Sequence, residues 1–114
     1  HADWKLKNGK VLSVSAFGTT ATEPVRISLD PGSLCAFVRA RMAAPEQVPP
    51  TEWVKLQPMS QEEWCEQVSE EADLHEPPSL VGTLQLARGR YVVEFRVDHK
   101  KESEEFSGLD VVLT

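Results

Sequence analysis

The chain has 114 residues, of which 40% are hydrophobic and 26% are charged, and its formal net charge is −6. This length and composition predict a single folded domain over residues 1–114, because the chain is too apolar for a disordered protein. An acidic chain is a poor partner for nucleic-acid phosphates, so we expect no nucleic-acid binding. No apolar run reaches the length of a membrane span, so we expect no membrane insertion.

The first predicted element is a β-hairpin at the amino terminus. Residues 4–7 and 10–17 form its strands, and Asn8-Gly9 supplies the positive φ angles that a tight turn needs. A two-residue loop would mix polar and apolar residues on each face, so we expect a three-residue loop with Gly9 in a bulge. The resulting register pairs Trp4 with Leu12 and Ala2 with Val14.

Two further strands are predicted over residues 25–30 and 34–42, because apolar and polar residues alternate in both. The outer face of the second strand begins with Cys35 and Phe37 and ends with two arginines, so we expect its first half to be covered on both faces. A connector with three prolines then leads to a short strand over residues 52–57. The arginines are Arg39 and Arg41, and the core face carries Ala36, Val38, Ala40 and Met42.

One helix is predicted, from Ser60 to His75. Ser60 and Glu63 form a capping box, and Met59 and Trp64 occupy the positions of a hydrophobic staple. The apolar stripe is narrow, so the helix should lie on the domain surface. Its other surface is acidic, with no intervening base among Glu62, Glu63, Glu66, Glu70, Glu71 and Asp73.

The strongest strand pattern lies near the carboxyl end. Apolar residues alternate over 80–86, stop at a glycine between two arginines at 88–90, and alternate again over 91–97, which predicts a second β-hairpin. A polar loop over 100–108 and a last strand over 109–113 follow.

Together these elements predict an all-β fold. We expect an antiparallel β-sandwich, immunoglobulin-like or related, of seven to eight strands, with one crossover α-helix at about residues 60–75. The Cys, Trp, Cys spacing of antibody domains is absent, so the likeness rests on the number and rhythm of strands. It implies no function.

The two cysteines, Cys35 and Cys65, lack the paired spacing of a zinc site. Isolated cysteines are most often small buried apolar residues, and we expect this of both. Cys35 lies on the strand face that needs covering, and Cys65 lies on the helix stripe. We therefore expect the helix to pack over the start of that strand with the two sulfurs close together, and a disulfide between them is left open.

No residue pattern indicates catalysis, because the cysteines fall on apolar faces and no serine sits in a glycine elbow. We expect no enzyme activity, no catalytic residue and no cofactor. The alternative is copper, since an amino-terminal His1 offers an imidazole and an α-amine to one ion, with His99 as a further ligand. The arrangement resembles periplasmic copper-carrier β-sandwiches, whose mature chains begin with His and carry an acid-x-His near the last strands. Here Asp98 and His99 are adjacent, without the spacer.

The function that the sequence favours is a non-catalytic protein–protein interaction module. The chain starts with neither Met nor a leader sequence, so we expect either that a leader was removed or that the chain is an excised domain. The expected module is an excised domain or a component of a larger assembly, and another protein is its expected partner. The acidic helix face is the candidate binding surface. Its residues are Glu62, Glu66, Glu70 and Asp73. The alternative is that its acids are solvated or are paired within the chain, with Arg39 and Arg41 or with Arg88, Arg90, Lys100 and Lys101. The alternative function is a secreted or periplasmic copper-binding carrier that uses His1.

Overall fold

The computed structural model describes residues 1–30, 34–44, 48–60 and 79–114. Within these ranges the chain is all-β, with two antiparallel sheets of five and four strands and no helix. This architecture fits the predicted antiparallel β-sandwich class. The strands are β1 (Ala2–Lys5), β2 (Val11–Phe17), β3 (Val25–Asp30), β4 (Cys35–Met42), β5 (Val54–Lys55), β6 (Gln57–Pro58), β7 (Leu80–Leu84), β8 (Gly89–Asp98) and β9 (Ser103–Leu113).

The five-stranded sheet has the order β1-β2-β3-β7-β6, and the four-stranded sheet has the order β5-β4-β8-β9. Each sheet turns one apolar face inward, because alternate side chains of a strand point to opposite faces. The expected core face of β4 is confirmed, since Ala36, Val38 and Ala40 are buried. The alternation predicted for β3 is confirmed in the same way.

The amino-terminal hairpin has the predicted register, with Trp4 opposite Leu12 and Ala2 opposite Val14. The N–H of Leu6 donates to the carbonyl of Lys10 at 2.8 Å, and the N–H of Gly9 donates to the carbonyl of Leu6 at 2.9 Å. Gly9 has a φ of +86°, a conformation that suits glycine at a bulge. The matching of apolar faces was therefore sufficient to determine this register.

The second predicted hairpin is wrong. Both of its strands exist, but β7 pairs with β3 and β6 in one sheet, whereas β8 pairs with β4 and β9 in the other. Residues 85–88 therefore connect the two sheets. Apolar alternation shows which side chains face the core, and a hairpin and a connection between sheets satisfy that pattern equally well.

The predicted strand over residues 52–57 is divided between the two sheets, which raises the number of described strands to nine. β5 pairs with β4, and two residues later β6 pairs with β7. Leu56 lies between them: its N–H donates to the carbonyl of Ala36 at 2.9 Å, and its side chain is 2% exposed. The backbone of Leu56 thus belongs to one sheet while its side chain packs on Gly82 of the other.

The last strand is longer than predicted, because β9 begins at Ser103 within the expected polar loop. Val93 is opposite Leu109 but Glu94 is opposite Ser107, so Gly108 is an extra residue with a φ of +124°. This β-bulge reverses the alternation of inward and outward side chains. Before the bulge, the buried Glu104 takes an inward position, which hid the strand from a search for apolar alternation.

The predicted helix lies outside the described residues beyond Ser60, as do its binding residues Glu62, Glu66, Glu70 and Asp73, and Cys65. The segment that contains them joins β6 to β7, which are antiparallel neighbours in one sheet. It is therefore a connection between adjacent strands, and the expected crossover is not found.

The expected burial of Cys35 is wrong, because this residue is exposed. Phe37 is only partly buried, and the covering group found over its ring is the guanidinium of Arg96. The outer face at the start of β4 is thus partly open. An apolar residue at the end of a strand does not require a covering element, because exposed apolar side chains are common on proteins.

Phe95 lies at the centre of the core, fully buried, with its ring centroid 5.7 Å from that of Trp4 on the opposite sheet. The predicted parity of β8 is confirmed, since Tyr91, Val93 and Val97 are also buried.

We predict that Phe95→Ala lowers the free energy of unfolding by about 3 to 5 kcal/mol, because it leaves a cavity between the sheets. Val112→Ala is the control, since this apolar side chain is 56% exposed on neighbouring β9 and its loss should change little. Urea melts of the two variants measure the difference. Equal midpoints for both would show that Phe95 is not in the core.

A second prediction concerns the close contact between Leu56 and Gly82. A Cβ atom on Gly82 would lie 2.6 Å from Cδ2 of Leu56, so Gly82→Ala must displace a buried side chain. We expect a loss of about 1 to 3 kcal/mol from overpacking. Adding Leu56→Ala to Gly82→Ala should remove the clash, and a double-mutant cycle from denaturant melts measures the coupling. Strictly additive effects would contradict the contact.

Candidate protein-binding face

The outer face of the four-stranded sheet carries a cluster of arginine and aromatic side chains. We call it the arginine–aromatic face and define it by Phe37, Arg39, Arg41, Trp53, Glu94 and Arg96. Alternation puts these side chains outside, because their neighbours Val38, Ala40 and Phe95 face the core. Trp53 is brought alongside β4 by the pairing of β5, in which Val54 is opposite Val38.

The guanidinium groups stack on the aromatic rings. The guanidinium carbon of Arg39 lies 4.3 Å from the Trp53 ring centroid. The same atom of Arg96 lies 4.3 Å from the Phe37 ring centroid and 5.0 Å from that of Trp53. Such contacts are attractive because the face of an aromatic ring is electronegative. They hold both guanidinium groups close to the aromatic rings on the outer face of the sheet.

Carboxylates fix the same arginines from the other side. Oε1 of Glu94 accepts hydrogen bonds from Nε of Arg39 at 2.9 Å and from Nε of Arg41 at 3.3 Å. Nε of Arg96 donates to Oδ1 of Asp98 at 3.1 Å. The side chains of Arg39, Arg41 and Arg96 remain 23%, 40% and 26% exposed. These arginines are therefore ordered and still open to a ligand.

A shallow groove of about 260 Å³ lies beside the stacked rings. Arg39, Trp53 and Glu94 line one part of it, and Glu105 and Ser107 of β9 line another. An aromatic surface flanked by ordered guanidinium groups suits contact with another protein, because tryptophan and arginine are the residues most enriched at interface hot spots.

The other exposed apolar side chains of the described residues do not form a comparable surface. Val11 and Phe17 are 58% and 61% exposed at opposite ends of β2, on the outer face of the five-stranded sheet. Val112 is exposed on the other sheet. Scattered apolar residues of this kind are ordinary on folded proteins and indicate no site.

The structure does not bring the two histidines of the copper alternative together. Nε2 of His1 lies 3.2 Å from Oδ1 of Asp3, whereas Nε2 of His99 lies 3.2 Å from Oε1 of Glu104. Glu104 contacts Lys7, beyond the other end of β1, so the imidazoles are on the order of 15 Å apart along the strand. Within the described residues no group of three or more His, Cys, Asp or Glu could hold a metal ion.

Glu104 is the buried acid of the described core, and it ties the two sheets together. Its Oε1 accepts a hydrogen bond from the backbone N–H of Lys7 at 3.1 Å. Nε2 of His99 is buried near the same oxygen, in a geometry that makes no hydrogen bond. At the surface, the hydrogen bond between the Lys7 ammonium and Glu102 raises the pKa of Lys7 and lowers the pKa of Glu102. The sequence did not predict the inward position of Glu104, because an acidic residue within a polar stretch is typical of a loop.

Sequence reasoning identified part of the arginine–aromatic face. It placed Phe37, Arg39 and Arg41 on one side of β4, and this is confirmed by the alternating burial of the strand. It missed Trp53 and Arg96, because their approach depends on which strands flank β4. Arg39 and Arg41, two of the cations considered as partners for the acidic helix, pair with Glu94.

Among the described residues there is no helix with the length and apolar character that a membrane crossing requires. Comparison with protein-family models gives no match, and neither does comparison with curated proteins or with solved structures.

We predict that Glu104→Ala lowers the free energy of unfolding by about 1 to 3 kcal/mol, because the partly buried N–H of Lys7 then loses its acceptor. Glu105→Ala is the matched control, since Glu105 is exposed at the next position of β9. Thermal and urea melts of both variants measure the effect. A loss for Glu105→Ala as large as that for Glu104→Ala would contradict the role of the inward carboxylate.

Proposed function

We propose that this chain is a non-catalytic protein–protein interaction module that binds its partner through the arginine–aromatic face. The observation that carries the proposal is the stack of Arg39 and Arg96 on Trp53, at 4.3 and 5.0 Å, on the outer face of a sheet. The side chains of Arg39, Arg96 and Trp53 lie on the outer face, so the packing of the core does not depend on them. Their ordering lowers the entropy that the side chains lose on binding, which favours a tight interface.

The expected binding surface was the acidic segment, and the proposed surface is the arginine–aromatic face, whose arginines are positively charged. The described residues contain all twelve Lys and Arg of the chain but ten of its eighteen acids. The negative charge of the whole chain therefore does not describe this part of it. The immunoglobulin-like likeness of the sandwich stays a proposal and contributes nothing to the functional argument.

Site-specific photo-crosslinking in an extract of the source cells tests the function. A benzophenone amino acid replaces Ser107, which lines the groove, or Thr83, which is exposed on the outer face of the five-stranded sheet. We expect a discrete adduct from position 107 and none from position 83. Excess unlabelled chain should suppress the adduct, and excess Trp53→Ala chain should not.

Equal adducts from both positions would show that the face is not specific. Suppression by Trp53→Ala as strong as that by the unsubstituted chain would likewise contradict the proposal. Circular dichroism and a urea melt of Trp53→Ala must first show a folded sandwich, because its ring also covers part of the sheet. Arg41→Ala serves as a second competitor, since Arg41 is the most exposed of the three arginines.

A further inference from the structure

We infer that the ligand of the arginine–aromatic face is an extended acidic segment of a partner protein, whose carboxylates are bound by Arg39 and Arg41. The inference rests on the proposed function and names the chemistry of its partner.

The first observation is the way in which the arginines are held. Arg39, Arg41 and Arg96 each use Nε for the bond to a carboxylate. Within the part of the chain that the structure describes, their terminal Nη groups make no hydrogen bond. A guanidinium fixed through Nε presents the remaining N–H groups as a planar fork, which matches the two oxygens of a carboxylate.

The second observation is an imbalance of charge along β4. Two guanidinium groups share one oxygen of Glu94, at 2.9 and 3.3 Å, so one positive charge of the pair is not neutralised. Lys55 adds a further positive charge to the same face, because it is opposite Phe37 and exposed. Glu105, the acid across the groove, lies on β9 at the opposite edge of the sheet. An anionic segment is therefore favoured along β4 and disfavoured near β9.

The third observation is spacing. Arg39 and Arg41 are two residues apart on one strand face, which separates their side chains by about 6.6 Å at the rise of a strand. Carboxylates on alternate residues of an extended peptide have the same separation. Consecutive acidic residues would point to opposite sides of the peptide and could not reach both arginines.

Fluorescence anisotropy with labelled decapeptides at about 50 mM salt, where surface charges are weakly screened, tests the inference. One peptide alternates glutamate with threonine. A second, the paired peptide EETTEETTET, has the same composition, but no two of its glutamates are two residues apart, so two carboxylates cannot have the spacing of the two arginines. A third has glutamine in place of glutamate. We expect the alternating peptide to bind most tightly and the glutamine peptide not to bind.

Variants of the chain locate the contact. Arg41→Ala should weaken binding of the alternating peptide about tenfold or more, as expected for the loss of a hydrogen bond between charged groups. Arg41→Lys should also weaken it, because lysine keeps the charge but not the fork. Arg88→Ala removes the same charge from the exposed β7–β8 connection and should have little effect. Glu105→Gln should strengthen binding.

Four results would overturn the inference. The first is equal binding of the alternating and paired peptides, and the second is an equal loss for Arg88→Ala and Arg41→Ala. The third is tighter binding of a phosphoserine peptide or of oligothymidine than of the alternating peptide. The fourth is no binding at all. Before absence of binding is concluded, peptide binding is also measured on a chain whose six acids between 62 and 73 are changed to amides. This variant removes competition from the chain's own carboxylates.

The two proposals fail in different ways. A specific adduct from position 107 without binding of the glutamate peptides would leave the proposed function intact and reject the acidic ligand. Binding of the alternating peptide without such an adduct would support the acidic ligand and reject the protein partner in that extract. The crosslinking result and the peptide result are therefore independent.

Discussion

The passage of the chain through Leu56 is the constraint on which the candidate site depends. At this residue the backbone leaves the four-stranded sheet, where its N–H bonds to Ala36, and the side chain fills the space above Gly82 of the other sheet. Burying the side chain fixes the position of the backbone on both sides of it. Trp53, three residues earlier, is thereby held beside β4 and over the guanidinium of Arg39.

The opposite side of the sandwich is closed by polar bonds. Glu104 of β9 accepts the N–H of Lys7, and the N–H of Thr114 donates to the carbonyl of Thr19 at 3.0 Å. These bonds join the β1–β2 region to β9, the edge strand of the other sheet. An inward-pointing acid and a bulge at Gly108 also make β9 a poor template for pairing with another chain. The outer face of the same sheet is the surface on which we propose that a partner binds.

On that outer face, Arg39 and Arg96 lie over the ring of Trp53, and Arg39 and Arg41 share the carboxylate of Glu94. Salt bridges on a surface contribute little to stability. The same arrangement reduces the cost of ordering the arginines when an anion binds. The two faces of β4 thus differ: Ala36, Val38 and Ala40 are buried in the core, and we propose that Phe37, Arg39 and Arg41 on the outer face serve recognition.

The sequence by itself determined the β class, the strand faces and the register of the first hairpin, because alternation and turn chemistry are local properties of Trp4 to Leu12 and of the residues within each strand. Only the tertiary structure decided that β7 and β8 belong to different sheets, that Leu56 divides one predicted strand into two, and that Glu104 faces inward beyond a bulge. Strand partners come from distant parts of the chain, and the apolar face of one strand can be buried against the apolar faces of several other strands. The meeting of Trp53 with Arg39 and Arg96 is such a long-range consequence, which no local pattern specifies.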